Sequence, residues 1–254
     1  MRRLSKFAYI CISIFKIDVM YAIEKLVSSS HVDTESKLNL TSAVDFMQDC
    51  SYFQIYSVKS IVEEFERRNM AMFVVSRQMD IIDMPLLGEK LTVKTWVWKL
   101  NRVFGSRNTV IYDEKRNPRV VSFAMGAFVD LESGNPTQIP DRIVNEILIE
   151  EKFDMEYLSR KIEIPDNIPQ KLLGIHVLKS HLDNFNHVNN SKYVMMAYEY
   201  LPMDFKTKRM RVEYKIPAGY GNIIYPEIYT DHKRHVVSLN DQHGKPFSVV
   251  EFTS

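Results

Sequence analysis

The sequence predicts an α+β protein of two similar halves, each a long helix wrapped by a curved antiparallel sheet. Three observations carry that expectation. A loop-and-helix segment occurs twice, His31 of the first copy falling on His181 of the second. Each copy is followed by runs rich in β-branched and aromatic residues, the composition of a half-buried pleated surface. The chain is 45% apolar and 26% charged over 254 residues, enough to bury a core as one large domain or two small ones.

Taken in order, the chain opens with Arg2, Arg3 and Lys6 ahead of a short apolar run, Phe7 to Phe15. That run superficially resembles a signal peptide, yet it is far below the ~20 residues that span a bilayer. Lys16 and Asp18 follow it in place of a small-residue cleavage site. Residues 1–19 are therefore read as an extension outside the fold, with no integral membrane segment, and Met20 starts the first strand, "MYAIEKLV". The first repeat is placed at 20–145 and the second at 172–254. The charged stretch between them, 146–171, has prolines near its end and reads as a linker.

In the repeat, "HVDTESKLNLTSA" from His31 matches "HLDNFNHVNNSKY" from His181. His31, Asp33 and Asn39 meet His181, Asp183 and Asn189, whereas Lys37 stands where the second copy has His187. A helix follows each copy: "TSAVDFMQDCSYFQIYSV" with a Thr/Ser cap, and "NSKYVMMAYEYL" capped by Asn190 or Ser191 and ended by Pro202. The strands expected next are "MFVVSRQMDII", "EKLTVKTWVWKL", "SRNTVIYDE" and "RVVSFAMGAFVDL", then "RMRVEYKI", "NIIYPEIYTDH", "HVVSLND" and "FSVVEF". Gly88 and Gly221 occupy corresponding places, just before the second long strand of each half. The last hairpins turn through "DEKRNP" and "DQHGKP".

Charge and cysteine usage narrow the function classes. With 33 Lys+Arg against 32 Asp+Glu, a whole-surface nucleic-acid binder is disfavoured. Cys11 and Cys50 are too few for a disulfide framework or a four-thiolate metal site, which fits a reducing, cytoplasmic setting. The seven histidines form no ligand set, and "HKRH" at His232 and His235 reads as a solvated turn. No metal and no cofactor is expected.

At residues 181–202, "HLDNFNHVNNSKYVMMAYEYLP" resembles the Asp-x-x-x-His-Val-Asn-Asn-x-x-Tyr signature of hot-dog-fold thioesterases. The stretch "VSRQMDIIDMPLLGEKLTVKTWVWKLNRVFGSRNTVIYDE", followed by "FVDLESGNPTQIP", is similar to the N-terminal half of acyl-acyl carrier protein thioesterases. The resemblance covers roughly residues 21–253. It implies two tandem hot-dog folds, the second catalytic and the first non-catalytic and acyl-binding. The implied reaction is hydrolysis of the thioester between a fatty acyl chain and acyl carrier protein, in fatty acid biosynthesis. It carries the family's Asp onto Asp183 and the His onto His187. The family's Asn falls on Phe185, and its later Glu and Cys fall on Pro217 and Ala218. Those three departures motivate one other reading, a non-catalytic acyl-binding protein; an acyl-CoA hydrolase on the same fold is the runner-up enzyme reading.

Thioester hydrolysis needs an activated water or carboxylate nucleophile and donors for the developing oxyanion. Asp183 is the candidate base or nucleophile, and His187 the group that orients water or protonates the leaving thiolate. Spacing alone favours Asp183 as a turn or cap residue and His187 as a surface histidine; the surrounding signature and the duplicated fold turn the reading toward function. Asn184, Asn186, Asn189 and Glu199 are candidate supporting groups, and Glu213 is a second substitute for the missing Glu. A helix starting near Asn190 would aim its free N–H groups at the carbonyl. Acyl carrier protein is acidic, so "KTKRMR" from Lys206 to Arg211, with Lys99, Arg102 and Arg107, are docking candidates. A homodimer is compatible with this reading.

Overall fold

The computed structural model describes residues 20–231 and 233–254. The expected extension at 1–19, Cys11 and His232 lie outside the described residues. In the first half the strands are β1 (Tyr21–Leu26), β2 (Met70–Ile81), β3 (Lys90–Leu100), β4 (Phe104–Tyr112) and β5 (Pro118–Asp130). The second half supplies β6 (Gln170–Lys171), β7 (Ile175–His176), β8 (Arg209–Tyr214), β9 (Ile223–Asp231), β10 (Arg234–Asn240) and β11 (Pro246–Thr253). All pair antiparallel in one sheet of order β1-β3-β4-β5-β2-β8-β11-β10-β9-β6, with β7 also on β9.

The two halves meet edge to edge at β2 and β8, Ser76 to Asp80 lying opposite Glu213 to Arg209. Neither half keeps a free inner edge there, which removes a template for unwanted pairing. Across this seam the Arg209 guanidinium grips both oxygens of Asp80, at 2.6 and 2.9 Å. That ion pair holds the Arg209 guanidinium above its ordinary pKa range.

Two helices fill the concave face, α1 (Leu40–Ser57) and α4 (Asn190–Tyr198). Ala43, Met47 and Cys50 recur at helical spacing and form one buried stripe of α1. They share a core with Tyr193, Val194 and Ala197 of α4 and with Met79, Ile111, Met210 and Val250 from the sheet. Truncating a side chain as enclosed as Met47 to Ala costs about 2–5 kcal/mol.

Both helices begin earlier than their expected caps. Asn39, not Thr41 or Ser42, caps α1, its side chain accepting from the Ser42 N–H at 2.8 Å. Asn189 caps α4 by accepting from the Ser191 N–H at 3.1 Å. The loop ahead of each helix holds the asparagine where its short amide reaches the first free backbone donors. Two helices were not expected at all. After Val58 breaks α1, α2 (Lys59–Arg68) runs on to Asn69, a left-handed residue at φ 49°. The second, α3 (Asp141–Glu146), packs with α2 around Ile61, Phe128, Ile139 and Ile143.

Residues 146–171 carry no long element, yet they are anchored along the sheet's outer face. Trp96 donates to Glu151 O at 2.8 Å, and the Phe153 N–H donates to Asn108 Oδ1 at 3.0 Å. The Leu158 N–H meets Gln78 Oε1 at 3.0 Å, and the Ile162 N–H meets Glu213 Oε2 at 3.3 Å. Arg211 and Arg234 donate to carbonyls of Ser159 and Glu163 further along. The stretch is a strap that covers outward side chains of both halves, including Val121, Val236 and Val249.

Candidate active site

The loop before α4 is a tight hydrogen-bonded turn. The Asp183 N–H donates to His187 O at 2.7 Å, and the Asn186 N–H donates to Asp183 O at 3.1 Å. Asn186 takes a left-handed φ of 60°, which a short amide side chain tolerates. Asp183 Oδ1 accepts from the N–H groups of Phe185 (2.8 Å) and His187 (3.1 Å). Asp183 is thus a turn residue, as spacing allowed, with its second oxygen outside the loop's own bonding.

That loop forms one wall of a cavity of about 420 Å³ whose other walls belong to the first half. Asp183, Asn184, Phe185, Asn189 and Asn190 face Gln48, Asp49, Ser51 and Tyr52 of α1. Gln48 ties the walls together, its amide within 3.4 Å of Asn189 Oδ1 and 3.3 Å of the Asn190 amide. Burial, and then hydrogen bonding to Tyr56, pushes the Tyr52 phenol up to about 12. A second cavity, about 440 Å³, lies beneath α1 and α2 and is lined by Phe65, Val97, Leu100, Phe128 and Ile139 among others. The two share Ile55, Met72 and Arg107 as lining residues.

The remaining candidates are placed as follows. With the cavity at the Asp183 loop named the outer and the one beneath α1 and α2 the inner, His187 lines neither; its ring packs beside Phe73, which lines the outer one, at 6.1 Å between centroids. Phe185, in the family's Asn position, packs edge-on against the same Phe73 at 5.1 Å. Asn186 is exposed at the turn. Glu199 is exposed at the far end of α4, nine residues beyond the loop-to-helix junction, and does not reach the cavity. Glu213 points to the opposite face of the sheet, where it accepts from Ile162 and pairs with Lys215 at 3.1 Å. Ala218 is fully buried, its N–H donating to Tyr193 Oη at 2.8 Å, so the family's Cys position is a core position here. His235 is not a solvated turn residue. It is buried on β10, edge-on to Phe205 at 4.6 Å, and burial pushes its pKa down.

The basic docking patch needs correction as well. Arg107 is 5% exposed and lies inside the cavity system rather than on the surface. Arg209 and Arg211 are held by Asp80, Glu156 and Glu251, and Lys206 by Glu35. Strand parity explains Arg107: along β4 it shares a face with Thr109 and Ile111, and that face is the concave one. Arg77 shares the concave face of β2 with Met79 and Ile81 in the same way. An arginine in phase with core residues was the signal that pointed inward. The α1 wall carries no such mark, because only the pairing of the halves brings it to the loop.

A helix-in-sheet unit used twice, with the loop of one copy closing a cavity against the helix of the other, is the arrangement of a tandem hot-dog protein. The family model described as the acyl-ACP thioesterase N-terminal domain matches residues 18–147, and that of the C-terminal domain matches 167–245. The chain belongs to the acyl-ACP thioesterase family, and it is a thioester hydrolase acting on fatty acyl-ACP. Its fold is similar to an acyl-ACP thioesterase from Bacteroides thetaiotaomicron, with TM-score 0.84, 17% identity, and coverage of 92% of this chain and 97% of that one. A putative oleoyl thioesterase from Lactobacillus plantarum gives TM-score 0.77 at 18% identity, covering 92% and 94%. The 12:0-ACP thioesterase from Umbellularia californica gives 0.78 at 15%, covering 92% and 96%. A search of curated protein sequences finds no match. Among the described residues no helix is long and apolar enough to cross a membrane.

Proposed function

We propose that hydrolysis takes place in the outer cavity, with Asp183 as the general base and the inner cavity as the acyl chamber. The observation that carries this is the pair of cavities sharing Ile55, Met72 and Arg107, one bordered by the Asp183 loop and the other largely apolar. In this reading the acyl chain runs past Met72 under α1 and α2, and the thioester rests beside the loop. Asp183, with one oxygen fixed by two backbone N–H groups, takes a proton from water through the other as the water oxygen adds to the carbonyl carbon. The N-terminus of α4 at Asn189 and Asn190 presents its partial positive charge to the developing oxyanion. Collapse of the tetrahedral intermediate breaks the C–S bond, and the proton held by Asp183 passes to the leaving thiolate. His187 acts as a positioning residue through Phe73, and Asn184 and Asn189 shape the mouth. The first repeat supplies the chamber and the second the chemistry, and the cytoplasm supplies the carrier protein.

The test is hydrolysis of acyl-ACP and acyl-CoA of equal chain length by the parent, Asp183→Asn and His187→Ala. Asp183→Asn is expected to lower kcat by roughly 10²–10⁴-fold, the usual contribution of a positioned base. His187→Ala is expected to lose less. Full activity in both variants overturns the site, and a strong preference for CoA overturns the choice of carrier.

A further inference from the structure

Two buried arginines lie in this cavity system, which Asp49 and Asp183 also line, and neither is ion-paired with a described carboxylate. Arg77 is 3% exposed, and its guanidinium donates to Ser122 Oγ at 3.1 Å and contacts Met47 Sδ at 3.7 Å, both neutral partners. Arg107 is more isolated: its Nε and Nη1 are buried without a hydrogen-bond partner among the described residues. Neither arginine forms an ion pair with a described residue. The acidic groups that act on them are the Cys50 thiol and the Tyr214 phenol. Burial pushes Cys50 up to about 12 and raises Tyr214 as well, so both stay protonated and neither is a counter-ion.

A desolvated guanidinium with free donors is costly unless something with oxygen acceptors meets it. A plain alkyl chain in the chamber offers none. The inner cavity holds two further polar atoms in the same condition, Gln54 Oε1 and Ser60 Oγ, each buried without a partner among the described residues. The lining of this chamber thus brings Arg107, Ser60 and Gln54, each with an unpartnered buried polar atom, together with Ser57, Lys59, Ser106 and Glu146 around a mainly apolar interior.

Resting on the assignment of the inner cavity as the acyl chamber, we propose that the preferred acyl group carries an oxygen function along its chain, which Arg107 binds inside the chamber. The shared chemistry is an oxygen acceptor presented to the guanidinium. A hydroxyl or keto oxygen and a chain-borne carboxylate are its two sources. A hydroxyl would accept from Arg107 while donating to Gln54 Oε1, and a carboxylate would take the Arg107 fork with the Ser60 hydroxyl.

The experiment compares the full chain with Arg107→Met and Arg107→Lys on acyl-ACP substrates of one length. The acyl groups are unsubstituted, hydroxylated, keto-substituted or carboxylate-terminated. The readout is kcat/KM, beside dissociation constants for the matching non-hydrolysable acyl amides. The parent is expected to favour one oxygenated class over the plain chain on the order of 10-fold or more, the effect of satisfying a buried charged donor. Arg107→Met is expected to abolish that ratio, its loss falling hardest on the oxygenated chains, and Arg107→Lys to retain part of it. Preference for the hydroxyl and keto chains identifies a neutral oxygen, and preference for the carboxylate an anionic one. A parent that favours the plain chain overturns the proposal, as does an Arg107→Met loss that is equal on every substrate. If Asp183→Asn keeps full turnover while the oxygen preference persists in the acyl amide binding constants, the catalytic assignment fails and this one stands.

Discussion

The loop at residues 31–41 and the loop at 181–191 share one backbone and differ in what surrounds it. Ser36 and Asn186 take φ of 61° and 60°, and Gly88 and Gly221, in the turn that precedes β3 and β9 respectively, take 87° and 82°. Asp33 Oδ1 accepts from the N–H groups of Glu35 and Lys37 at 2.8 and 3.0 Å, just as Asp183 Oδ1 accepts from those of Phe185 and His187. In the first loop, Lys37 turns to Glu35, which also takes Lys206, and the three charges satisfy one another on the surface. In the second, Asp183 borders a cavity and His187 lies against Phe73. The aspartate is therefore explained in both loops by backbone bonding alone. Function is what the neighbours add to it, and that difference can be tested by changing both loops alike.

The largest contrast is expected from Asp33→Asn and Asp183→Asn. An asparagine Oδ1 still accepts from the two loop N–H groups, so both variants should keep the parent's melting temperature closely. Only Asp183→Asn should lose hydrolysis, by roughly 10²-fold or more. Equal activity in the two variants would make both aspartates turn residues and nothing else.

A smaller loss is expected where the two cavities adjoin. A Cβ at Gly126 would stand 2.7 Å from Met72 Cε and 3.3 Å from Phe73 O, and Met72 lines both cavities. Gly126→Val should push Met72 into the passage and cut kcat/KM for long acyl chains about 10-fold, the size of effect that one or two misplaced methyl groups have in an apolar pocket. Short chains that end before Met72 should be spared. A uniform loss at every length would point to a damaged β2–β5 pairing.

The helix caps sharpen the comparison further. Asn39→Ala and Asn189→Ala each remove a side-chain acceptor at a helix N-terminus and should each cost about 1 kcal/mol of stability, read by urea denaturation. Asn189 also borders the outer cavity, so its variant alone should lose activity beyond what stability explains. Matching activity losses would assign Asn189 a cap role only.

Much of this was legible in the residues, because it depends on local chemistry. The Asp-x-x-x-His spacing, the turn glycines and the alternating strands each declare a backbone requirement or a buried face. What escaped depends on the third dimension. Asp49 and Tyr52 look like ordinary helix surface until the second half is set against them. Glu199 and Glu213 looked available until α4 carried one away and strand parity turned the other outward. Arg107 read as a surface charge because its partners on the concave face lie on other strands. The stretch 146–171 read as a linker because its anchors, Trp96, Asn108 and Gln78, are far from it in sequence. Its charges and prolines describe how it avoids regular structure, not where it lies.

The smallest effect expected separates the two loops through their histidines. His31 and His181 each accept, through Nδ1, the N–H of the residue three before, at 3.1 Å. Ser28 adds its hydroxyl to His31 at 2.8 Å, whereas the second copy has Leu178 there. Burial, and then the Lys192 charge, pushes His181 below its ordinary value of 6.5. The folded ring thus stays neutral at a pH where the unfolded chain has begun to take up the proton. Its contribution to stability is present above about pH 6.5 and is lost as pH falls below that, because the unfolded state then binds more protons. His181→Gln keeps an acceptor for the Leu178 N–H but cannot titrate. Its melting temperature should therefore fall less than the parent's between pH 7.5 and pH 5. Parallel falls in the two proteins would show that the acid sensitivity of this fold comes from elsewhere.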